Sequence, residues 1–262
     1  MMAGAVDGRF SVEGKNLIIT GGTRGLGRAF VFGLAAAGAN VVVSSRTAGA
    51  CEAIAAEARR FGVRAIAVPC HVGRWEQVEE LVRRSYDEFG TIDGLVNNAG
   101  KAPVAPRMID ISEPLFDATV AVNLKGPFRL ACLVGDRMKR AGAGVIVNIS
   151  SGSARAPGTL APIYGAAKAG LNTLTMALAI EYGPEVRVNA IGLGPTDTDA
   201  SAGWFHTDEF RDAARRGIAL KRGAAADEIV GTVVYLLSDA SSFTSGAVLD
   251  VDGGIYGALG GG

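Results

Sequence analysis

Seven short runs dense in Val and Ile recur along this chain. They alternate with longer segments whose apolar residues fall three and four apart. The runs lie at 17–20 (LIIT), 40–44 (NVVVS), 64–68 (RAIAV), 92–96 (IDGLV), 145–149 (VIVNI), 186–191 (VRVNAI) and 247–251 (AVLDV). Runs this short and this continuously apolar suit strands buried on both faces. Helical spacing covers 26–37, 48–61, 75–89, 116–140, 164–182 and 226–237. Strand and helix in alternation predict an α/β fold, a doubly wound parallel sheet of seven strands with helices on both faces. No Pro/Ser-rich linker and no further repeat interrupts the pattern, so residues 1–262 read as one domain. One segment breaks the rhythm. Residues 198–222 hold Trp204, Phe205, His206 and a charged helix-like stretch at 208–216. An insertion after a late strand lies near the carboxyl ends of the strands, where ligands bind. It therefore reads as a substrate lid, with a plain surface excursion as the alternative.

Composition narrows the function classes. Lys plus Arg and Asp plus Glu are both 26, which argues against a protein built to coat nucleic acid or anionic lipid. An apolar share of 48% excludes a disordered chain, and 37 Gly without a G-X-Y period point to tight turns and close backbone approaches. The only His are His71 and His206, and the three Cys, Cys51, Cys70 and Cys132, are too few and too scattered for a disulfide framework. A reducing compartment and a cytoplasmic location are the expectation. There is no C-x-x-C, no H-E-x-x-H and no G-x-S-x-G, so neither a metal site nor a nucleophile-elbow hydrolase is expected. The adjacent Cys70 and His71 read as a strand end rather than a ligand pair. No apolar run reaches membrane-spanning length, and residues 1–15 lack the pattern of a signal peptide.

The first run leads into Thr20-Gly21-Gly22-Thr23-Arg24-Gly25-Leu26-Gly27, a T-G-x-x-x-G-x-G turn opening a helix. A strand that must turn sharply and bring its backbone to a pyrophosphate at a helix N-terminus needs Gly at such positions. Gly21 serves the turn, and Gly25 and Gly27 permit close approach. The second run ends Ser44-Ser45-Arg46-Thr47 with no acid. A carboxylate there would bond the ribose hydroxyl of NAD, whereas Arg46, with Arg24 beside it, suits a 2′-phosphate. NADP(H) is the expected cofactor, the other reading being that Arg46 is a solvated loop residue. The fifth run closes on Ser150-Ser151, and Tyr164 and Lys168 stand one turn apart at the start of a long helix. A phenol is a poor acid near neutral pH, and an ammonium nearby favours the phenolate.

Taken with Asn97-Asn98-Ala99-Gly100, Val122-Asn123-Leu124 and Val251-Asp252-Gly253-Gly254, these motifs make the chain resemble the short-chain dehydrogenase/reductase family from about Phe10 to Tyr256. Within that family it resembles 3-oxoacyl-carrier-protein reductases and related NADP(H) carbonyl reductases. The resemblance implies a Rossmann-type sheet and a set of roles. Tyr164 exchanges the proton, Ser151 bonds the substrate oxygen, Lys168 holds the nicotinamide ribose and lowers the Tyr164 pKa, and Asn123 holds a relay water. Cofactor contacts are expected from Gly21, Thr23, Arg24, Gly25, Leu26, Gly27, Ser45, Arg46, Thr47, His71, Val72, Asn98, Ala99, Gly100, Tyr164, Lys168, Gly194, Pro195 and Thr198.

Substrate contacts are expected from Ser153, Arg155, Pro157, Leu160, Trp204 and Phe205. Asp252 is read as organising a C-terminal turn, with no catalytic part. Arg129 is either a solvated helix residue or, as in carrier-dependent relatives, a contact for an acyl carrier. Ile180 stands where those relatives have a second basic residue, which weakens the carrier reading.

Two departures stand out. His71 replaces the family's Asp before Val72, and a neutral imidazole still has one acceptor for adenine. Leu193 replaces a Pro before Gly194, which predicts a less rigid loop. The leading expectation is an NADP(H)-dependent ketone reductase. A dehydrogenase oxidising a sugar, steroid or other secondary alcohol and a non-catalytic dinucleotide sensor are the alternatives. The long helices at 116–140 and 164–182 resemble the family's dimerising pair, so a homotetramer or dimer is expected.

Overall fold

The structure is a computed structural model and describes residues 8–255. Tyr256, the far end of the resemblance, lies outside the described residues. Seven strands form one parallel sheet: β1 Asn16–Thr20, β2 Asn40–Ser44, β3 Ala65–Ala67, β4 Gly94–Asn97, β5 Gly144–Ser151, β6 Val186–Leu193 and β7 Val248–Val251. Their order is β3-β2-β1-β4-β5-β6-β7, so the winding reverses between β1 and β4. Alternate residues feed opposite layers. Leu17 and Ile19 pack with Phe30, Leu34 and Val147 on one face, while Ile18 packs with Leu81, Val134 and Ile146 on the other. The Val/Ile runs are continuous because both faces of the sheet are covered.

The helices are α1 Gly25–Ala36, α2 Ala48–Ala58, α3 Trp75–Phe89, α4 Glu113–Val120, α5 Gly126–Ala141, α6 Pro162–Tyr182, α7 Ala202–Phe205, α8 Asp208–Gly217 and α9 Val230–Leu237. The single helix expected at 116–140 is divided. A π-helical turn, Ala121–Lys125, joins α4 to α5. Just after it the backbone passes close to the loop following β3, since a Cβ on Gly126 would lie 2.4 Å from the Val72 carbonyl oxygen. The expected helix at 226–237 begins with a 3-10 turn, Ala226–Ile229. Strand β5 runs two residues beyond expectation, so Ser150 and Ser151 belong to the ladder, with Ser151 paired to Leu193.

The segment expected as a lid carries α7 and α8. Thr207 caps α8 by accepting from the Phe210 amide at 3.2 Å, with Asp208 and Glu209 in the first turn and Arg215 and Arg216 in the last. The two stems of this segment meet at a Thr196–Ala224 bridge, and the returning stem pairs Ile218 with Ile255.

Candidate active site

The carboxyl ends of β1, β4, β5 and β6 converge on one edge of the sheet, and α6 supplies the remaining groups. Lys168 is 3% exposed, and its Nζ donates to the Ile149 carbonyl at 2.7 Å. Nζ lies 5.7 Å from the centre of the Tyr164 ring. The Tyr164 hydroxyl hydrogen-bonds Ser151, whose Oγ also accepts from the Ser153 amide at 3.1 Å. Ser150 points the other way, and its Oγ is buried without a partner. Asn123 is fully buried in the π-helical turn. Its Oδ1 accepts from the Lys101 amide at 3.1 Å, and its Nδ2 donates to the carbonyls of Lys101 at 2.8 Å and Thr119 at 2.9 Å. The side chain therefore anchors the loop after β4, a task its sequence context did not reveal.

Burial decides the electrostatics. It pushes the Tyr164 phenol above its usual value, and the Ser151 hydrogen bond pulls it part of the way back. It pushes the Lys168 ammonium down to about 8. The net shift of the phenol is upward, with burial as its largest cause. Desolvation outweighs the other influences on the phenol, and Lys168 carries a burial cost of its own.

The Gly-rich turn has no spare room. Gly21 has φ +66°, and a Cβ on it would lie 2.9 Å from Asn98 Nδ2 and 3.0 Å from Ala99 Cα. At Gly27 a Cβ would lie 2.1 Å from the Gly21 carbonyl oxygen, and at Gly25 3.1 Å from Thr198 Cβ. Asn98 clamps the turn, with Nδ2 donating to the Thr20 carbonyl at 2.8 Å. The Asn98 and Ala99 amides both reach Thr20 Oγ1, at 3.0 and 3.1 Å. Arg24, at the N-cap of α1, supplies no side-chain cap, which leaves the first-turn amides available to an anion. Thr23 Oγ1 donates to Ser45 Oγ at 2.9 Å, joining the turn to the end of β2. Arg24, Arg46 and Thr47 are exposed, and neither Arg is ion-paired among the described residues. This cradle, with its close backbone packing and uncapped helix end, fits the pyrophosphate of a dinucleotide.

His71 differs from expectation. Its Nδ1 accepts from the Gly73 amide at 3.2 Å, so this acceptor nitrogen is engaged within the protein. The His71 amide donates to Gln77 Oε1 at 2.7 Å, and Val72 is buried. Leu193 is built into β6 between Ser151 and Val251 rather than lying in a loose loop. Gly194 is packed so closely that a Cβ would lie 2.6 Å from Asp252 Cα. The Pro195 carbonyl accepts from the Ala224 amide at 2.9 Å.

Ser153, Pro157 and Leu160 lie on the loop between β5 and α6, where the Leu160 carbonyl accepts from the Ala105 amide at 3.0 Å. Arg155, on the same loop, meets Asp250 at 2.7 Å and Asp252 at 3.1 Å, so its charge is committed within the protein. In the 198–222 segment, Trp204 and Phe205 pack on Phe210 with ring centres 5.1 and 4.9 Å apart. Phe205 also covers Gly223, where a Cβ would lie 2.4 Å from the ring. Beside Tyr164, an apolar wall from Pro103, Ala105, Ile111, Leu115 and Ile163 completes the cleft. Sequence reasoning missed this wall. Its signal was the apolar content of residues 102–111, in a stretch with no periodicity to assign.

Arg129 stacks 4.6 Å from the Trp75 ring and pairs with Glu79, so it is more than a solvated helix residue. Among the described residues, no group of three or more His, Cys, Asp or Glu is placed to hold a metal.

A family model described as enoyl-(acyl carrier protein) reductase matches residues 21–256. A short chain dehydrogenase/reductase, astE, from Aspergillus oryzae is 36% identical over 254 residues, 94% of this chain and 97% of its own length. An L-rhamnose 1-dehydrogenase (NAD(P)(+)) from Azotobacter vinelandii is 35% identical over 248 residues, covering 92% and 96%. The solved structure of a 7α-hydroxysteroid dehydrogenase, complexed with NADH and 7-oxo glycochenodeoxycholic acid, superimposes with a TM-score of 0.90 at 30% identity. That match covers 97% of this chain and 99% of the other.

Proposed function

The chain belongs to the short-chain dehydrogenase/reductase family, and from that premise we propose that it reduces a ketone to a secondary alcohol with NADPH. It is an oxidoreductase of the CH–OH/C=O type that works with a nicotinamide dinucleotide. The observation that carries the finer reading is the convergence of Ser151, Tyr164 and Lys168 beside the Gly-rich turn and below an apolar wall.

The cofactor, when bound, supplies the hydride. The protein does the rest. Ser151 holds the carbonyl oxygen by a hydrogen bond. Tyr164 gives its phenolic proton to that oxygen, and Lys168, whose burial holds its pKa at about 8, is mostly protonated at neutral pH and supports the phenolate left behind. Asn123 keeps the loop after β4 in place around this centre. Gly21, Gly25 and Gly27 admit the pyrophosphate, Asn98 to Gly100 flank the adenosine side, and Thr198 closes over Gly25. The apolar wall favours a ketone with an apolar body.

The choice of NADP(H) rests on Arg24 and Arg46, since relatives include proteins using NAD(P) and NADH. Each charge-assisted bond to a 2′-phosphate is worth roughly 1.5–3 kcal/mol. Arg46→Ala is therefore expected to weaken NADPH binding about tenfold or more and to leave NADH within twofold, measured by fluorescence titration. Equal affinities of the native protein for the two cofactors would refute the assignment. Tyr164→Phe is expected to cut ketone turnover about 10²-fold or more with NADPH affinity nearly unchanged. Undiminished turnover would sink the mechanism.

The commitment of Arg129 to Trp75 and Glu79 favours a free small-molecule ketone over an acyl-carrier-bound one. No helix among the described residues is long and apolar enough to cross a membrane. A cytoplasmic homotetramer or dimer completes the reading, supported by the exposed Met176 and Ile180 along the outer face of α6.

A further inference from the structure

Asp252 has no part in the proposed chemistry, yet it stands where three segments around the cleft meet. Its side chain is 10% exposed. Oδ1 accepts from the amides of Gly254 at 2.9 Å and Ile255 at 3.4 Å, which shapes the turn after β7. Oδ2 accepts from Arg155 Nη2 at 3.1 Å, while Arg155 Nη1 meets Asp250 at 2.7 Å. Arg155 belongs to the substrate loop between β5 and α6, only four residues after Ser151. Below, Asp252 Cα fills the space a side chain at Gly194 would need. On the far side, the same turn holds the returning stem of the lid. The Gly254 carbonyl accepts from the Ala219 amide at 2.9 Å, and the Gly253 carbonyl from the Leu220 amide at 3.1 Å. A continuous path of hydrogen bonds thus runs from substrate loop to lid through one carboxylate.

We propose that Arg155 and Asp252 are positioning residues that couple the substrate loop to the lid stem, so that loop and lid close on the ketone as one unit. Arg155 acts through Asp252 and does not itself touch the substrate. A half-exposed Arg adds little to global stability. Its effect lies in geometry, because small misplacements of substrate-positioning segments cost rate and affinity far beyond their folding energy. The kinetic consequence rests on the carbonyl-reductase reading, whereas the mechanical coupling does not.

The test uses the full-length chain with Arg155→Ala, Arg155→Lys, Asp252→Asn and the Ala/Asn double variant. Asn at 252 keeps an Oδ1 acceptor for the turn and removes the charge. Trypsin cleavage after Arg211, Arg215 and Arg216 of α8, followed by mass spectrometry without cofactor or ketone, reports opening of the lid. Coupling of this kind predicts about fivefold faster lid cleavage in Arg155→Ala and in Asp252→Asn, no further gain in the double variant, and at least half recovery in Arg155→Lys. With NADPH and ethyl acetoacetate, the KM for the keto ester is expected to rise about fivefold in Arg155→Ala, with kcat and the KM for NADPH each within about twofold. Unchanged lid cleavage, effects that multiply in the double variant, or a native keto-ester KM would each overturn the proposal. If the native chain reduces no carbonyl probe, the reductase reading fails, and the cleavage rates alone decide the coupling.

Discussion

At the scale of the residue, burial is the quantity that the chemistry turns on. Lys168 sits inside the protein with one carbonyl partner, and its folded pKa of about 8 lies below the usual 10.5. Below pH 8 both folded and unfolded states hold the proton, and the folded state carries the whole desolvation cost. Between about 8 and 10.5 the unfolded chain binds more proton than the folded one, so stability from this group rises with pH and the cost is gone above 10.5. Lys168→Met is therefore expected to be at least as stable as the native chain at pH 7. Its advantage is expected to shrink as pH rises from 8 to 10.5, while turnover is lost. Thermal denaturation at pH 7, 9 and 10.5 checks this; an advantage that grows with pH would contradict it. Ser151, Tyr164 and Lys168 were legible as a motif, because residue type and spacing are written in the chain. The direction of the Tyr164 shift was not, because desolvation depends on what the fold lays over the phenol.

At the scale of the element, hydrophobic runs revealed which segments are strands and helices but not where each one stops. Strand β5 continues through Ser151 because Leu193 on β6 offers a partner, and no local signal announces that. The π-helical turn at Ala121–Lys125 has no local signal either, and it runs into Gly126, whose backbone lies against Val72 more than fifty residues away in sequence. Glycines make the contrast testable. Gly27→Ala places a methyl 2.1 Å from the Gly21 carbonyl oxygen. Overpacking of that kind is expected to cost about 1–3 kcal/mol and to weaken NADPH binding severely. Gly231→Ala in α9 meets nothing within 4 Å. It should stabilise the fold by about 0.5–1 kcal/mol, since a helix interior favours Ala over Gly. Urea unfolding of both variants, with cofactor titration of the first, reads out the two signs.

At the scale of the whole molecule, the reversal of winding between β1 and β4 opens the crevice, and segments far apart in sequence fill its rim. A ligand spanning that crevice binds only the folded state. NADPH at about one hundred times its Kd should add about 2.7 kcal/mol of stability. For a chain of this size that is a Tm rise of roughly 5–10 °C. NADH at the same concentration should raise Tm less, and scanning fluorimetry with both cofactors gives the comparison. No shift with either would count against the cradle around Gly21 to Gly27.

The α/β alternation, the seven strands, the Gly-rich turn and the reacting trio are all legible along the chain. Each is a local pattern, set by residue type and spacing within one element or one turn. Folding alone makes Asn123 anchor the 101 loop, engages the His71 acceptor nitrogen, and turns Arg155 to Asp250 and Asp252. The reason is physical: a polar side chain is committed by whichever partner the fold brings within hydrogen-bond reach, and such partners come from anywhere along the chain.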